Sequence, residues 1–205
     1  MSWKKIWIPA LALPIVALLY YGLQKAPTVN IIESPLEGHA ASHFEAQTLD
    51  GDTITLAGLR GKVVVLNFYA SWCVACIDEH AVFTQAEQHY AGQDFQMLGV
   101  VYQDSPENAR RWMQRMGGHW PSLIDPNSRI AIDYGVYGVP ETYFIGKDGR
   151  IAHKQIGPVD PLLMKNTVDR LLGEPAGAAV STDATNGEPS VGRSEGHVTD
   201  SPDNN

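Results

Sequence analysis

Apolar and polar positions alternate along residues 43–173 in a way that sorts this stretch into strands and helices. Residues 62–69, Lys-Val-Val-Val-Leu-Asn-Phe-Tyr, are a short and nearly continuous β-branched and aromatic run. That is the pattern of a strand covered on both faces. Residues 95–102 form a second such run. Between them the sequence predicts a helix over residues 73–90. Ser105 followed by Pro106 supplies an N-cap and a first helical residue, and this helix is expected to end at Gly117-Gly118. Residues 127–134 are expected to form a shorter helix. Leu49-Asp50-Gly51-Asp52 marks a hairpin ahead of residues 53–56. Residues 141–145 and 150–155 make a second hairpin around Lys147-Asp148-Gly149, and a last helix covers 161–172. Strands alternating with helices, with hairpins at the start and near the end, predict an α/β domain with a mixed central sheet flanked by helices.

The ends of the chain follow other patterns. After Lys4 and Lys5, residues 6–23 carry no charge. As a helix those residues rise about 27 Å, close to the hydrocarbon thickness of a bilayer. Pro9 and Pro14 interrupt the run, which membrane helices tolerate better than soluble ones. The small-x-small pair Ala10 and Ala12 lies too early for a signal-peptidase site, and Tyr20 and Tyr21 suit an interfacial belt. An uncleaved transmembrane anchor over 1–25 is therefore expected, with a cleaved signal peptide as the alternative. Lys4 and Lys5 against Lys25 alone favour a cytoplasmic N-terminus, so the remainder is expected outside the cytoplasm. Residues 26–42, with Pro27, Pro35 and Gly38, read as a linker. Residues 174–205 lack Leu, Ile, Met and every aromatic, which predicts a disordered acidic tail.

Composition narrows the function. The chain has 205 residues, 44% hydrophobic and 19% charged, with a net charge of −8. Such a balance argues against a nucleic-acid-binding protein held by phosphate contacts. The tail alone has six acids and one Arg, so much of the excess lies outside the domain. Two cysteines exclude a disulfide-dense mini-domain and an intramolecular four-thiolate zinc site.

Those two cysteines carry the sharpest signal. Trp72-Cys73-Val74-Ala75-Cys76 follows a buried strand and opens a helix. Two intervening residues let both sulfurs meet across the first turn. The first sulfur sits where unpaired amides and the helix dipole stabilise a thiolate. Cys73 is thus the candidate nucleophile and Cys76 the resolving thiol, with no cofactor beyond their redox-active disulfide. A static disulfide and half a zinc or copper site are the other readings of the same pair. His80 follows close behind, but three ligands from one and a half helical turns would be strained, so no metal site is assigned.

The strand–Trp–CxxC–helix arrangement resembles the thioredoxin superfamily. Cys76-Ile77-Asp78-Glu79-His80 and Gly135-Val136-Tyr137-Gly138-Val139-Pro140-Glu141-Thr142 are similar to the membrane-anchored DsbE/CcmG group, close to ResA and TlpA. The resemblance covers nearly all of residues 43–173 and implies a thioredoxin-like fold with an N-terminal hairpin and an extra inserted unit. It implies a cis peptide bond at Pro140, leaving the Val139 backbone free to pair with an extended client. Trp72 and Glu141 are expected to line the client surface, Glu141 adding acidity to the groove. Where thioredoxin has a buried Asp as proton acceptor for the resolving thiol, this chain has Asn67, which cannot take a proton. Glu79, three residues after Cys76 on the same helical face, matches the group's active-site Glu, and burial would raise its pKa towards neutrality.

The resemblance thus implies a periplasmic thiol:disulfide reductase, held in the inner membrane, that keeps the haem-attachment cysteines of apocytochrome c reduced. It implies re-reduction by a DsbD/CcdA-type membrane electron donor. A TlpA-like general or copper-site reductase keeps the chemistry and changes the client. A non-catalytic copper-binding module is the alternative of another class.

Overall fold

The computed structural model describes residues 36–175 and, ahead of them, Pro14 alone. The rest of the expected anchor, the linker up to residue 35 and the tail from 176 lie outside the described residues. Among the described residues no helix is long and apolar enough to cross a membrane.

Strands β1 (Glu45–Gln47) and β2 (Thr53–Thr55) form a small antiparallel sheet of their own, followed by a 3-10 turn at Ala57–Leu59. The central sheet is built from β3 (Val63–Tyr69), β4 (Phe95–Val101), β5 (Ser122–Ile124), β6 (Glu141–Ile145) and β7 (Ile151–Ile156). Its order is β5-β4-β3-β6-β7. Strand β3 pairs in parallel with β4, and β4 with β5, while β6 runs antiparallel to both β3 and β7. Helices α1 (Ala75–His89), α2 (Pro106–Met116), α3 (Arg129–Asp133) and α4 (Pro161–Gly173) complete the domain. The mixed sheet and its helices are those the alternating pattern implied.

Every residue of β3 is buried, so its sequence packs two cores at once. Val64, Leu66 and Phe68 join Leu98, Val100, Tyr134 and Tyr143 on one face. Val63 and Val65 join Phe83 of α1 and Met164 and Val168 of α4 on the other. Because strand side chains alternate between faces, Asn67 belongs to the side of Val63 and Val65 and is turned towards α1. Its register partner on β6 is Thr142, which shares that face.

Helix ends follow the sequence cues where those cues are local. Ser105 Oγ accepts the Asn108 amide at 3.1 Å, and Asp160 Oδ1 accepts those of Leu162 and Leu163 at 2.8 and 3.0 Å. Three differences stand out. The helix expected over 127–134 is split: Pro126–Ser128 is a 3-10 turn in which Asn127 and Ser128 have positive φ (64° and 55°). Asp125, four residues before α3 begins, caps it by accepting the Ile130 and Ala131 amides at 2.9 Å each. Strand β5 was not expected, being three residues between Pro121 and Asp125, too short for any periodicity.

The third difference concerns residues 36–42, read as part of a tether. They lie along the outer strand instead. The Gly38 amide donates to Ile151 O (2.7 Å), the Ile151 amide to His39 O (2.9 Å) and the Ala41 amide to Gly149 O (3.0 Å). Ala40 forms a β-bridge with Arg150. An uncovered edge strand exposes unpaired amides and carbonyls, and this segment satisfies those of Ile151 at the start of β7. At the opposite margin Thr48 bridges Leu123 and the Leu49 amide donates to Ser122 O at 2.8 Å.

Gly99, central in β4, is fixed by its surroundings. A Cβ there would stand 2.7 Å from Ser122 Oγ and 2.8 Å from Tyr69 Cε1. Gly99→Ala is expected to cost about 1–3 kcal/mol of stability through overpacking, read as a lower denaturation midpoint in urea at unchanged slope.

Candidate active site

The site assembles where the C-terminal end of β3 meets the start of α1. Cys73 and Cys76 are joined in a disulfide, Cα to Cα 5.4 Å, and both are buried. Helix α1 begins at Ala75 rather than at Cys73 as expected. Val74, at the N-cap, has no capping side chain. The Cys76 amide points instead at Cys73 Sγ, 3.1 Å away. One orphan donor of the helix start thus serves the sulfur that becomes a thiolate on reduction.

Glu79 lies one turn further along α1 and is 1% exposed. Its position follows from the helical spacing and from the face of β3 that α1 covers. Asn67 Nδ2 donates to Glu79 Oε1 at 2.9 Å and to Thr142 Oγ1 at 3.0 Å, and the Val159 amide donates to Glu79 Oε2 at 3.1 Å. Burial raises the Glu79 pKa from an ordinary 4.5 to about 7, against the lowering effect of the Val159 and Asn67 hydrogen bonds. Asn67, which the sequence marked only as unable to accept a proton, orients the carboxylate that can. The signal for this was present in the strand alternation, which puts Asn67 opposite α1.

Pro140 is buried and follows Val139 through a cis peptide bond. The Val139 side chain packs against the cluster that contains both cysteines. Among the described residues neither the amide nor the carbonyl of Val139 has a hydrogen-bond partner. The next carbonyl is taken: the Gly157 amide donates to Pro140 O at 2.9 Å. Trp72 is 57% exposed beside the disulfide, its indole donating to Gln103 O at 3.4 Å. Val74, between the two cysteines, and Ile77, directly after them, are also exposed, so apolar surface flanks the sulfur pair.

Glu141 departs from expectation. It is 1% exposed and its Oε2 pairs with Lys154 Nζ at 2.8 Å, so it lends no free negative charge to the groove. Strand alternation turns it to the face opposite Thr142 and Glu79. His80 is buried between Trp112 and Trp120 (ring centroids 4.7 and 5.0 Å). Its Nε2 lies 2.6 Å from Gly117 O, which can only accept, so Nε2 carries the proton. Burial lowers its pKa despite that bond. Among the described residues no cluster of three or more His, Cys, Asp or Glu could hold a metal ion.

One contributor went unnoticed in the sequence. Asp104 Oδ2 accepts the Ser71 amide at 2.8 Å, and Oδ1 accepts from Ser105 N and Asn108 Nδ2. Burial pushes its pKa up, but these hydrogen bonds outweigh it and hold the group below the usual range. Asp104 thereby fixes the segment leading into Trp72 and Cys73. Only the neighbouring Ser105-Pro106 cap hinted at an ordered turn there.

The raised Glu79 pKa has a consequence for stability. The folded state holds the Glu79 proton more tightly than the unfolded state, so the contribution is complete below about pH 4.5 and lost as pH climbs through about 7. Glu79→Gln should therefore gain stability relative to wild type across that interval, by an amount of the order of 3 kcal/mol. Urea denaturation at pH 4.5 and pH 8 checks this; an equal difference at both would contradict it.

Comparison with known proteins agrees with the geometry. The AhpC/TSA family model matches residues 38–154. The thiol:disulfide interchange protein DsbE of Allochromatium vinosum is 37% identical over 163 residues, covering 78% of this chain and 87% of that protein. CycY of Rhizobium leguminosarum bv. viciae, also named a thiol:disulfide interchange protein, is 34% identical over 155 residues, covering 71% and 82%. A crystal structure of a thioredoxin-family thiol:disulfide interchange protein from Chlorobium tepidum superposes with a TM-score of 0.60 at 26% identity, covering 65% of this chain and 96% of that one. With a sulfur pair at the head of α1 and these relatives spanning the same domain, the chain belongs to the AhpC/TSA family and, within it, to the thioredoxin-like thiol:disulfide interchange proteins of the DsbE group.

Proposed function

We propose that this chain is a periplasmic reductase, anchored in the inner membrane through residues 1–25 with its N-terminus in the cytoplasm, that reduces the haem-attachment cysteines of apocytochrome c. The observation that carries the reading is the buried Glu79 one turn beyond the Cys73–Cys76 disulfide, held by Asn67 and Val159.

In the reduced protein the Cys73 thiolate attacks one sulfur of a client disulfide. A mixed disulfide forms and the client's other sulfur leaves as a thiolate. Cys76 then gives its proton to the Glu79 carboxylate and attacks Cys73 Sγ. The second client sulfur leaves, the Cys73–Cys76 disulfide closes, and two electrons have passed to the client. A group with pKa about 7 is matched to that proton transfer near neutral pH. The unpaired backbone of Val139 offers an extended client strand-like hydrogen bonds, while Trp72 and Val139–Pro140 bound the groove. A DsbD/CcdA-type membrane donor returns the two electrons.

Replacing Cys76 with Ser removes the resolving step. The Cys76→Ser chain, produced in a cell that makes c-type cytochromes, is expected to accumulate disulfide-linked to apocytochrome c through Cys73. Capture of other thiol proteins and no apocytochrome would overturn the client assignment. Resolution of the mixed disulfide in the wild type should accelerate as pH rises through about 7. Glu79→Gln should slow it by roughly 10²-fold at pH 7 and flatten that profile, as measured by stopped-flow reduction of a disulfide peptide.

A further inference from the structure

We infer that Lys154 is a positioning residue for the loop at residues 135–139, and that Tyr137, presented by that loop, recognises an apolar side chain on the client. The inference rests on the reductase reading and adds the part of the surface that distinguishes one client from another.

The argument begins with sheet register. Lys154 on β7 is the register partner of Tyr143 on β6, so the two share a face with Glu141, two residues before Tyr143. This is the face opposite Asn67, Thr142 and Glu79. On it the two charges meet with almost no access to water: the Lys154 side chain is 6% exposed and that of Glu141 1%. A buried pair of this kind is held only where both partners have further bonds, and here those bonds run to the loop. Glu141 Oε1 accepts the Tyr137 amide at 3.2 Å. Lys154 Nζ donates to Gly135 O at 3.2 Å and lies 5.5 Å from the centroid of the Tyr137 ring. Tyr143, whose ring centroid is 5.0 Å from the same ammonium, donates its hydroxyl to Tyr134 O. Residues 134, 135 and 137 are thus each tied to this one charged centre or to the tyrosine beside it.

What the centre holds out is an aromatic ring. Tyr137 is 72% exposed, although its backbone is fixed and one face of the ring meets the ammonium. Ile156, the register partner of Glu141, adds 51% exposed apolar surface on the same face. Val139, with its free backbone, is two residues from Tyr137, within about 7 Å along the chain. Two residues of an extended client span the same distance. The client side chain that meets Tyr137 therefore belongs to a residue two away from the one paired with Val139, and an apolar group there is favoured by contact with the ring.

The test uses the full chain and two synthetic peptides containing a disulfide between cysteines two residues apart. One peptide has Leu at the positions two residues outside each cysteine, the other Ser. In the wild type the Leu peptide is expected to have a KM lower by about fivefold. Tyr137→Ala should raise that KM by about fivefold and erase the preference, with kcat changed less than about twofold. Lys154→Met should do the same, and Lys154→Arg should restore the wild-type KM to within about twofold. An unmoved KM, or a kcat that falls in step, overturns the inference. A KM moved by Tyr137→Ala but not by Lys154→Met overturns the role of Lys154. Should Lys154→Met not fold, Tyr137→Ala decides the role of the ring, and Lys154→Gln, which keeps a donor for Gly135 O and loses the charge, decides that of Lys154: a raised KM upholds it and an unmoved one overturns it. A wild type that reduces neither peptide refutes the reductase reading as well; a wild type that reduces both equally refutes only the loop's role.

Discussion

A carboxylate removed from water beneath a pair of sulfurs is the constraint around which this domain is arranged. Ionising Glu79 inside the packing of α1, β3 and the β7–α4 connection is costly, and its two oxygens are offered only neutral donors: Asn67 Nδ2 and the Val159 amide. Those donors moderate the cost without cancelling it, which leaves the group poised near neutrality. Had the partner been an Arg or Lys, the carboxylate would be permanently charged and a poor proton acceptor. In the proposed mechanism the amide at position 67 is thus as much a part of the chemistry as the acid it holds.

The central sheet separates two tasks by the parity of its residues. Odd positions of β3, with Thr142 opposite Asn67, face α1 and the buried Glu79. Glu141 and Tyr143, one residue to either side of Thr142, face the tyrosine-lined core with Lys154. Pro140 stands where β6 begins and so touches both arrangements. Val139, just before it, packs against the tyrosine-lined core and against the cluster that holds both cysteines.

Much of this was legible because the signals are local. The β-branched run of β3, the two-residue spacing of the cysteines, the Ser105-Pro106 cap and the Pro140 motif each lie within a few residues of what they specify. What could not be read depended on partners brought together by register. Glu141 is neutralised by a lysine thirteen residues on, across a hairpin whose pairing shifts between Phe144 and Ile145. Asn67 read as an empty position because its partner is on a helix. Asp125 caps a helix that starts four residues later, and β5 is too short to carry a pattern. Residues 36–42 have a linker's composition, yet they pair with the start of β7 and bury Ala41 in the core.

That covering has a wider meaning for a protein of the thiol:disulfide interchange kind. The leading segment pairs with the start of β7 at one margin of the sheet, and Thr48 and Leu49 pair with Ser122 and Leu123 at the other. Non-native chains held at high local density readily add to any open margin and propagate. The start of β7 and the middle of β5 are thereby withdrawn from pairing with a visiting chain, while the backbone of Val139 stays open beside the disulfide. On both sides of the sheet, then, the edge groups nearest the turns are spoken for by this chain's own backbone.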